Sequence, residues 1–424
     1  MSKRFSTLLA VLLVSSLLLT ACGGGAADGA GAADGGGAAD GGDAMECTDE
    51  IGCVEVASGD SIHLAYMLTV SGATAFLGED SLGGIQVALA NRGQVLGHDV
   101  ELTGEDSGCS AEGGQTAATA VTADDSVVAI IGTNCSGAAT AGLPTVSEAG
   151  LLMCSPSNTA PALTDPDQTW LPGYFRTAHN DLFQGRVAAE FAYNELGAMT
   201  AATIHDGSPY ADQLQQVFAA TFAELGGTVT FQGAVNVGDT DMRPVLTSVA
   251  ADSPDVLYFP IFEPEGPFIV SQATEIDGLE NTVLMGADGL LADSFPENSG
   301  ENVVGMFLSG PYVTGAEYDA FLADWESQIG GVPPSGFHAF AYDCTNMILD
   351  AVEAVAQQGS DGSLLIGRQA LRDAMASTTG YAGLTGSLAC NEYGDCATGE
   401  ALAVFEITQA ELDGNWPPAA VYTP

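Results

Sequence analysis

From Ile62 to Met285 the chain repeats one pattern: a short apolar run, a polar turn, then a stretch with helical character. The runs at 62–68, 99–105, 127–131, 151–154, 201–205, 228–231, 255–259 and 282–285 are too brief for helices and read as strands. Helices are expected between them over about 80–91, 114–122, 137–148, 183–196 and 213–225, with two more reaching Ala251 and Ile276. A strand-then-helix order sustained this long implies parallel sheets covered on both faces. The series runs twice with no disordered stretch between, which predicts two lobes. An extended region at 170–177 separates them, and strands at 303–308 and 401–407 with helices at 318–329 and 337–357 are expected to rejoin them.

The stretch 127–164, VVAIIGTNCSGAATAGLPTVSEAGLLMCSPSNTAPALT, carries the chemistry of the first series. Gly132-Thr133-Asn134 closes a strand, and Ser136 stands where an N-cap belongs. A hydroxyl and free backbone N–H groups would then sit at the carboxyl end of a parallel strand, where open α/β sheets bind ligands. The next strand ends in Ser155-Pro156-Ser157-Asn158-Thr159, another loop rich in hydroxyls. Two ordinary capped turns would have the same sequence character, so this stretch alone does not define a site.

Residues 1–21 carry Lys3 and Arg4, an apolar core at 8–19 and the run Leu19-Thr20-Ala21-Cys22, the order of an export signal ending at a lipidation cysteine. It resembles the bacterial lipoprotein signal, with Cys22 anchored through acyl chains to the outer face of the cell membrane. The Gly/Ala/Asp repeat that follows, to Ala44, has nothing to bury and reads as a charged tether. No later apolar run is long enough to span a bilayer. The chain has 424 residues, of which 55 are acidic and 8 basic. Lys3 and Arg4 leave with the signal, so 6 arginines face 55 acids, a net charge of −49, with no lysine. Such a surface excludes nucleic acid and other polyanions as partners.

Nine cysteines in an exported chain invite pairing. Cys47 with Cys53, and Cys390 with Cys396, each flank a short loop and could close a local staple; the 390–396 loop reads as a hairpin turn. Cys109 and Cys135 are expected at one sheet edge and are predicted to bond. Cys154 and Cys344 remain either a fourth bridge or two buried thiols. Neither CxxC pairs nor grouped histidines appear, so no metal is expected.

The ordered series LTVSGATAFLG, VVAIIGTNCSG, LLMCSPSNTAP, FRTAHND, IHDGSPYADQL, GDTDMRPVL, PDVLYF, LMGADG and GLTGSLACNEYGD resembles the type I periplasmic binding proteins of ABC importers, especially the leucine/isoleucine/valine-binding branch. The resemblance covers roughly Ile62 to Ile407. It implies an α/β fold of two Rossmann-like lobes with parallel sheets, joined by a three-crossover hinge and closing around a solute. The division it implies is a signal at 1–21, an acidic linker with a small cysteine loop at 22–60, one lobe from 61–177 plus 311–400, and the other from 178–310 plus 401–424. Ser136 matches the position that holds a ligand carboxylate, and Ser157 and Thr159 match positions contacting the α-carboxylate and α-ammonium. Asp288 falls where relatives place an acid opposite the ammonium, here the shorter aspartate. Phe76, Tyr210, Phe262 and Phe337 match positions lining the pocket or its rim, and Cys109 with Cys135 matches a disulfide of that branch. Ser157 and Thr159 as turn residues, Asp288 as a helix cap and the phenylalanines as core remain open readings. Gly137 lacks a hydroxyl that some relatives carry there, while Asn134 and His179 add polarity.

These residues suit a zwitterion: donors for one end, an acid for the other, apolar walls between. The expected role is a lipid-anchored receptor that passes an amino acid, branched-chain or similar, to a membrane permease and its ATPase. An amide, urea or aromatic acid as ligand, or a sensory ligand-binding module, are the alternatives. The five histidines are scattered and G-x-S-x-G, H-E-x-x-H and the P-loop are all missing, so neither enzyme activity nor a cofactor is expected.

Overall fold

The computed structural model describes residues 45–399 and 401–424. The expected signal, Cys22 and the tether through residue 44 lie outside the described residues, as does Glu400. The first series builds β1 (Cys53–Val56), β2 (Ile62–Leu68), α1 (Phe76–Arg92), β3 (Val100–Asp106), α2 (Ala111–Val121), β4 (Val127–Gly132), α3 (Ser136–Glu148), β5 (Leu152–Ser155) and β6 (Tyr174–Arg176). Five of these strands form a parallel sheet in the order β3-β2-β4-β5-β6. The central strand β4, VVAIIG, is buried at every position, which is why it reads as an unbroken apolar run. α2 and α3 cover one face through Ala118, Ala139 and Leu143 against Ala65 and Met67. Small residues let these two helices touch: a Cβ on Gly114 would lie 2.2 Å from the Ala138 carbonyl oxygen.

The second series builds α4 (Asp181–Glu190), β7 (Thr200–His205), α5 (Pro209–Glu224), β8 (Thr228–Ala234), α6 (Arg243–Ala250), β9 (Val256–Tyr258), α7 (Glu265–Ala273), β10 (Val283–Gly286), α8 (Phe295–Ser299) and β11 (Phe307–Pro311). The chain then continues through α9 (Ala316–Gln328), α10 (His338–Val355), β12 (Gln357–Gln358), β13 (Leu364–Gly367), α11 (Arg368–Ala376), β14 (Tyr381–Gly383), β15 (Gly386–Leu388), β16 (Leu402–Glu406), α12 (Gln409–Leu412) and β17 (Ala420–Tyr422). The second sheet runs β8-β7-β9-β10-β11-β16-β17. Its first five strands are parallel, whereas β16 and β17 add to the edge antiparallel. α10 returns to the first lobe and covers the other face of its sheet, packing Ala341, Ile348 and Val352 with Ile85, Leu64 and Ile131. The chain therefore passes between the sheets three times: from β6 to α4, from β11 to α9 and from β15 to β16.

Two differences from the sequence reading have local causes, and a third has a distant one. The strand expected at 303–308 begins at Phe307, because Gly305 at φ 90° turns the chain inside that apolar run. Ser136 is the first helical residue of α3 and makes no cap bond; the N-cap is Cys135. Residues 53–56, within the expected linker, form β1 and pair antiparallel with β13. Four disulfides close the described body: Cys47–Cys53, Cys109–Cys135, Cys154–Cys344 and Cys390–Cys396. The third settles the open reading, tying β5 to α10 across the first core. The Cys390–Cys396 loop is a closed turn, and the hairpin lies just before it, in β14 and β15.

Candidate ligand-binding site

The residues singled out in the sequence come from the carboxyl ends of β4, β5, β7, β9 and β10, and from the starts of α1 and α10. Such ends leave loop N–H groups and side chains free to meet a ligand. Phe76, Tyr210 and Phe337 belong to one buried apolar cluster that also includes Cys135, and Phe262 packs against it. That cluster joins side chains of both lobes. Tyr210 and Phe262 lie with ring centroids 4.9 Å apart.

On the first lobe, Asn134 organises the loops. Its Oδ1 accepts from Thr69 N at 2.8 Å, and its Nδ2 donates to Leu77 O, Ser81 Oγ and Ser157 Oγ at 3.0, 2.9 and 3.2 Å. Ser157 Oγ donates back to the Asn134 carbonyl at 3.1 Å. The turn itself is made by Ser155, whose Oγ accepts from Ser157 N and Asn158 N at 3.3 and 2.8 Å. Ser136 Oγ accepts from Ala160 N at 3.2 Å, which leaves its O–H to donate elsewhere. Thr159 Oγ1 is buried without a hydrogen-bond partner.

On the second lobe, Ser208 caps α5 by accepting from Ala211 N at 3.2 Å, and Pro209 follows at N1. This start aims Tyr210 at Asp288: the phenol donates to Asp288 Oδ1 at 2.9 Å and accepts from Gly289 N at 3.1 Å. Asp288 follows Ala287, the residue that stands at the cap position, and makes no cap bond of its own. Gly289 is required by close approach, since a Cβ there would meet the Ile261 carbonyl oxygen at 2.7 Å and both aromatic rings. Burial pushes the Asp288 carboxyl up to about 6, against the pull of the Gln184 and Tyr210 donors.

Three contributors were not singled out as binding residues from the sequence: Asp181, Gln184 and Ser309. Gln184 Nε2 donates to Asp288 Oδ1 at 2.6 Å and to Ser309 O at 3.1 Å, while its Oε1 faces His179 Nε2. That arrangement makes Nε2 the protonated nitrogen of His179. Burial drives the His179 pKa down to about 4, so the ring is neutral at pH 7 and Nδ1, which has no partner, is an acceptor. His179 also stacks on Phe337 at 6.2 Å. Asp181 is fully buried, and neither carboxylate oxygen has a partner of normal geometry. Burial and then the Asp288 charge raise its pKa well above the usual range; the neighbouring Thr159 hydroxyl and Arg176 oppose this only in part. Asp181 and Gln184 stand one turn apart in α4, so one helix face supplies both. The motif FRTAHND and this three-residue spacing were the available signals.

The lobes touch over this site. Ala162 N donates to Gln213 Oε1 at 2.9 Å, Asp293 N to Pro334 O at 3.1 Å, and Ser335 Oγ to Leu291 O at 3.2 Å. A separate cavity of about 330 Å³ lies beside the second crossover, lined by Tyr312, Tyr318, Phe405 and Trp416. It includes none of the sequence-selected residues. The unpartnered buried oxygens and nitrogen near Asp288 are the stronger mark of a ligand site, because such groups cost free energy unless something meets them.

Two α/β lobes linked by three crossovers, with paired acids, hydroxyls and aromatic rings where they meet, define a two-lobed solute-binding protein. A family model described as periplasmic binding protein matches residues 61–411. The chain belongs to that family. An amino acid binding protein of Pseudomonas aeruginosa is 26% identical over 280 residues, 64% of this chain and 73% of that one. The Leu/Ile/Val-binding protein of Escherichia coli is 25% identical over 259 residues, 60% and 69% of the two chains. The crystal structure of a leucine-binding protein from Thermotoga maritima superposes with a TM-score of 0.75 at 26% identity, covering 86% of this chain and 99% of its own. These relatives are binding proteins rather than enzymes.

Proposed function

We propose that this chain is the substrate-binding protein of an ABC importer, anchored through Cys22 to the outer face of the cell membrane. It captures an amino acid, branched-chain or similar, between its lobes and delivers it to the permease. The observation that carries the reading is the buried pair Asp181 and Asp288, whose carboxylates lie among neutral donors and acceptors with no cationic side chain bonded to either among the described residues. An α-ammonium between them supplies the missing positive charge, with the Thr159 hydroxyl and His179 Nδ1 as further acceptors. Ser136 O–H and the loop at Ser157 hold the α-carboxylate. Phe76, Tyr210, Phe262 and Phe337 wall the side chain, which suits an apolar one. The names of the relatives in Pseudomonas aeruginosa, Escherichia coli and Thermotoga maritima support the amino-acid class. The lobes divide as 61–177 with 311–400, and 178–310 with 401–424.

A thermal-shift and calorimetric screen against the amino acids, simple amides, urea and aromatic acids tests this. A ligand at about 100 times its dissociation constant adds about 2.7 kcal/mol of stability by mass action. Stabilisation by one amino-acid class is the expected outcome. Stabilisation only by molecules without an ammonium group removes the role given to Asp181 and Asp288.

A further inference from the structure

We infer that Asp395 is a positioning residue for solute capture: its single carboxylate, on the third crossover, sets both the loop that carries Ser157 and Thr159 and the start of the helix that carries Asp181 and Gln184. This rests on the binding site proposed above. Arg176 is the intermediary on one side. It is fully buried, and its Nε donates to Asp395 Oδ1. Its Nη1 donates to Asn158 O and Ala160 O at 3.2 and 2.9 Å, and its Nη2 to Thr164 Oγ1 at 2.8 Å. The two carbonyls flanking Thr159 are therefore pinned by a guanidinium whose own orientation Asp395 fixes. On the other side, Asp395 Oδ2 accepts from Asn180 Nδ2 at 3.0 Å and from Thr164 Oγ1 at 2.9 Å. Asn180 is the N-cap of α4, its Oδ1 accepting from Leu182 N at 3.0 Å. The two halves also meet directly, where Asp181 N donates to Thr159 O at 3.0 Å.

Asp395 arrives oriented. The Cys390–Cys396 disulfide closes its loop, and Asn391 Oδ1 accepts from Tyr393 N and Asp395 N at 2.9 and 3.0 Å. Arg176 N donates to Gly394 O at 2.9 Å, and Cys396 N to Arg176 O at 3.1 Å, so the loop is laced to β6 as well. Burial alone would favour the neutral acid, but Arg176, with Asn180 and Thr164, holds the carboxyl below its ordinary range. A buried ion pair contributes little net stability compared with apolar packing. What this pair adds is geometry, because its remaining bonds, apart from those to Thr164, reach the loop at 158–160 and Asn180 on the first crossover.

Asn180→Ser tests the link with little disturbance, since serine caps a helix as well as asparagine does but lacks the amide that reaches Asp395. With a solute found for the native protein, the variant is expected to bind it about five- to tenfold more weakly, through a faster off-rate, with the unfolding midpoint of the unliganded protein unchanged. Removing the disulfide by Cys390→Ser with Cys396→Ser is expected to weaken binding in the same direction. Amide exchange in the unliganded protein gives an answer that needs no solute: the Asn180→Ser variant should exchange faster at both 158–160 and 181–184. Protection unchanged at either segment overturns the inference, as does unchanged affinity in the Asn180→Ser variant while Asp288→Asn still weakens binding. Loss of the amino-acid reading would show separately, as a native protein that binds none.

Discussion

Asp181 and Asp288 are two buried acids within reach of each other's charge, and the cost of that arrangement is what the proposed ammonium ligand would relieve. The Asp288 carboxyl moves from its ordinary 3.8 up to about 6, so the folded chain holds a proton that the unfolded chain releases. Stability of the unliganded protein therefore falls as pH rises from about 4 to about 6, and this contribution is level above that. Binding has the opposite dependence: an ammonium needs the ionised acid, so affinity should fall by about tenfold per pH unit below about 6. Asp288→Asn is the companion test. Its amide oxygen can still accept from Tyr210 and Gln184, so the unliganded variant should melt a few degrees higher at pH 7 and bind an amino acid about 10- to 100-fold more weakly. Calorimetry from pH 4.5 to 8, with melting curves, reads both. Lower melting together with unchanged affinity would assign Asp288 to the fold alone. At this scale the resemblance to the binding-protein family marked Asp288, Tyr210 and Ser136. It left Asp181 unassigned because nothing local brings it near Asp288, whose charge bears on it only in the folded chain.

At the level of elements, the short parallel strands were legible because covered strands are apolar throughout, as β4 shows. The strands that escaped notice, β1, β12, β13, β14, β15 and β17, have two to four residues each, too few to show a period, and β1 owes its existence to β13, far along the chain. The Cys154–Cys344 bond is of the same kind. Its two cysteines lie 190 residues apart, and nothing local announces that β5 and α10 pack together. Closing a loop of that length restricts the unfolded chain strongly, so replacing both cysteines by alanine should cost about 4 kcal/mol. Urea denaturation of the double variant checks this; a loss below about 1 kcal/mol would mean that core packing alone holds the helix in place. The Cys109–Cys135 bond acts closer to the site, since it fixes the residue that caps α3 just ahead of Ser136.

Across the whole molecule the lobes meet at the loops proposed to bind, which makes closure testable through positions whose residues have no side chain to reach a ligand. Gly137, on the first turn of α3, is the clearest of these: a Cβ there would lie 3.4 Å from Pro209 Cδ at the start of α5. In the lobe arrangement seen here a large side chain at 137 would collide with Pro209, so fitting it requires the lobes to stand farther apart. Gly137→Trp should therefore bind solute at least tenfold more weakly at an unchanged unliganded melting midpoint, because a ligand shifts a conformational equilibrium only by its differential affinity. Equal affinity would mean that these two helices do not approach in the bound state. The amino-acid sequence by itself determined the alternation of strands and helices, the two-lobed α/β class and the polar loops at strand ends, since periodicity and turn chemistry are local properties. Tertiary structure alone decided that β16 and β17 join the second sheet antiparallel, that Asp181 is buried within reach of the Asp288 charge, and that Asp395 reaches Arg176 and Asn180. Those outcomes depend on which segments, far apart along the chain, exclude water from one another.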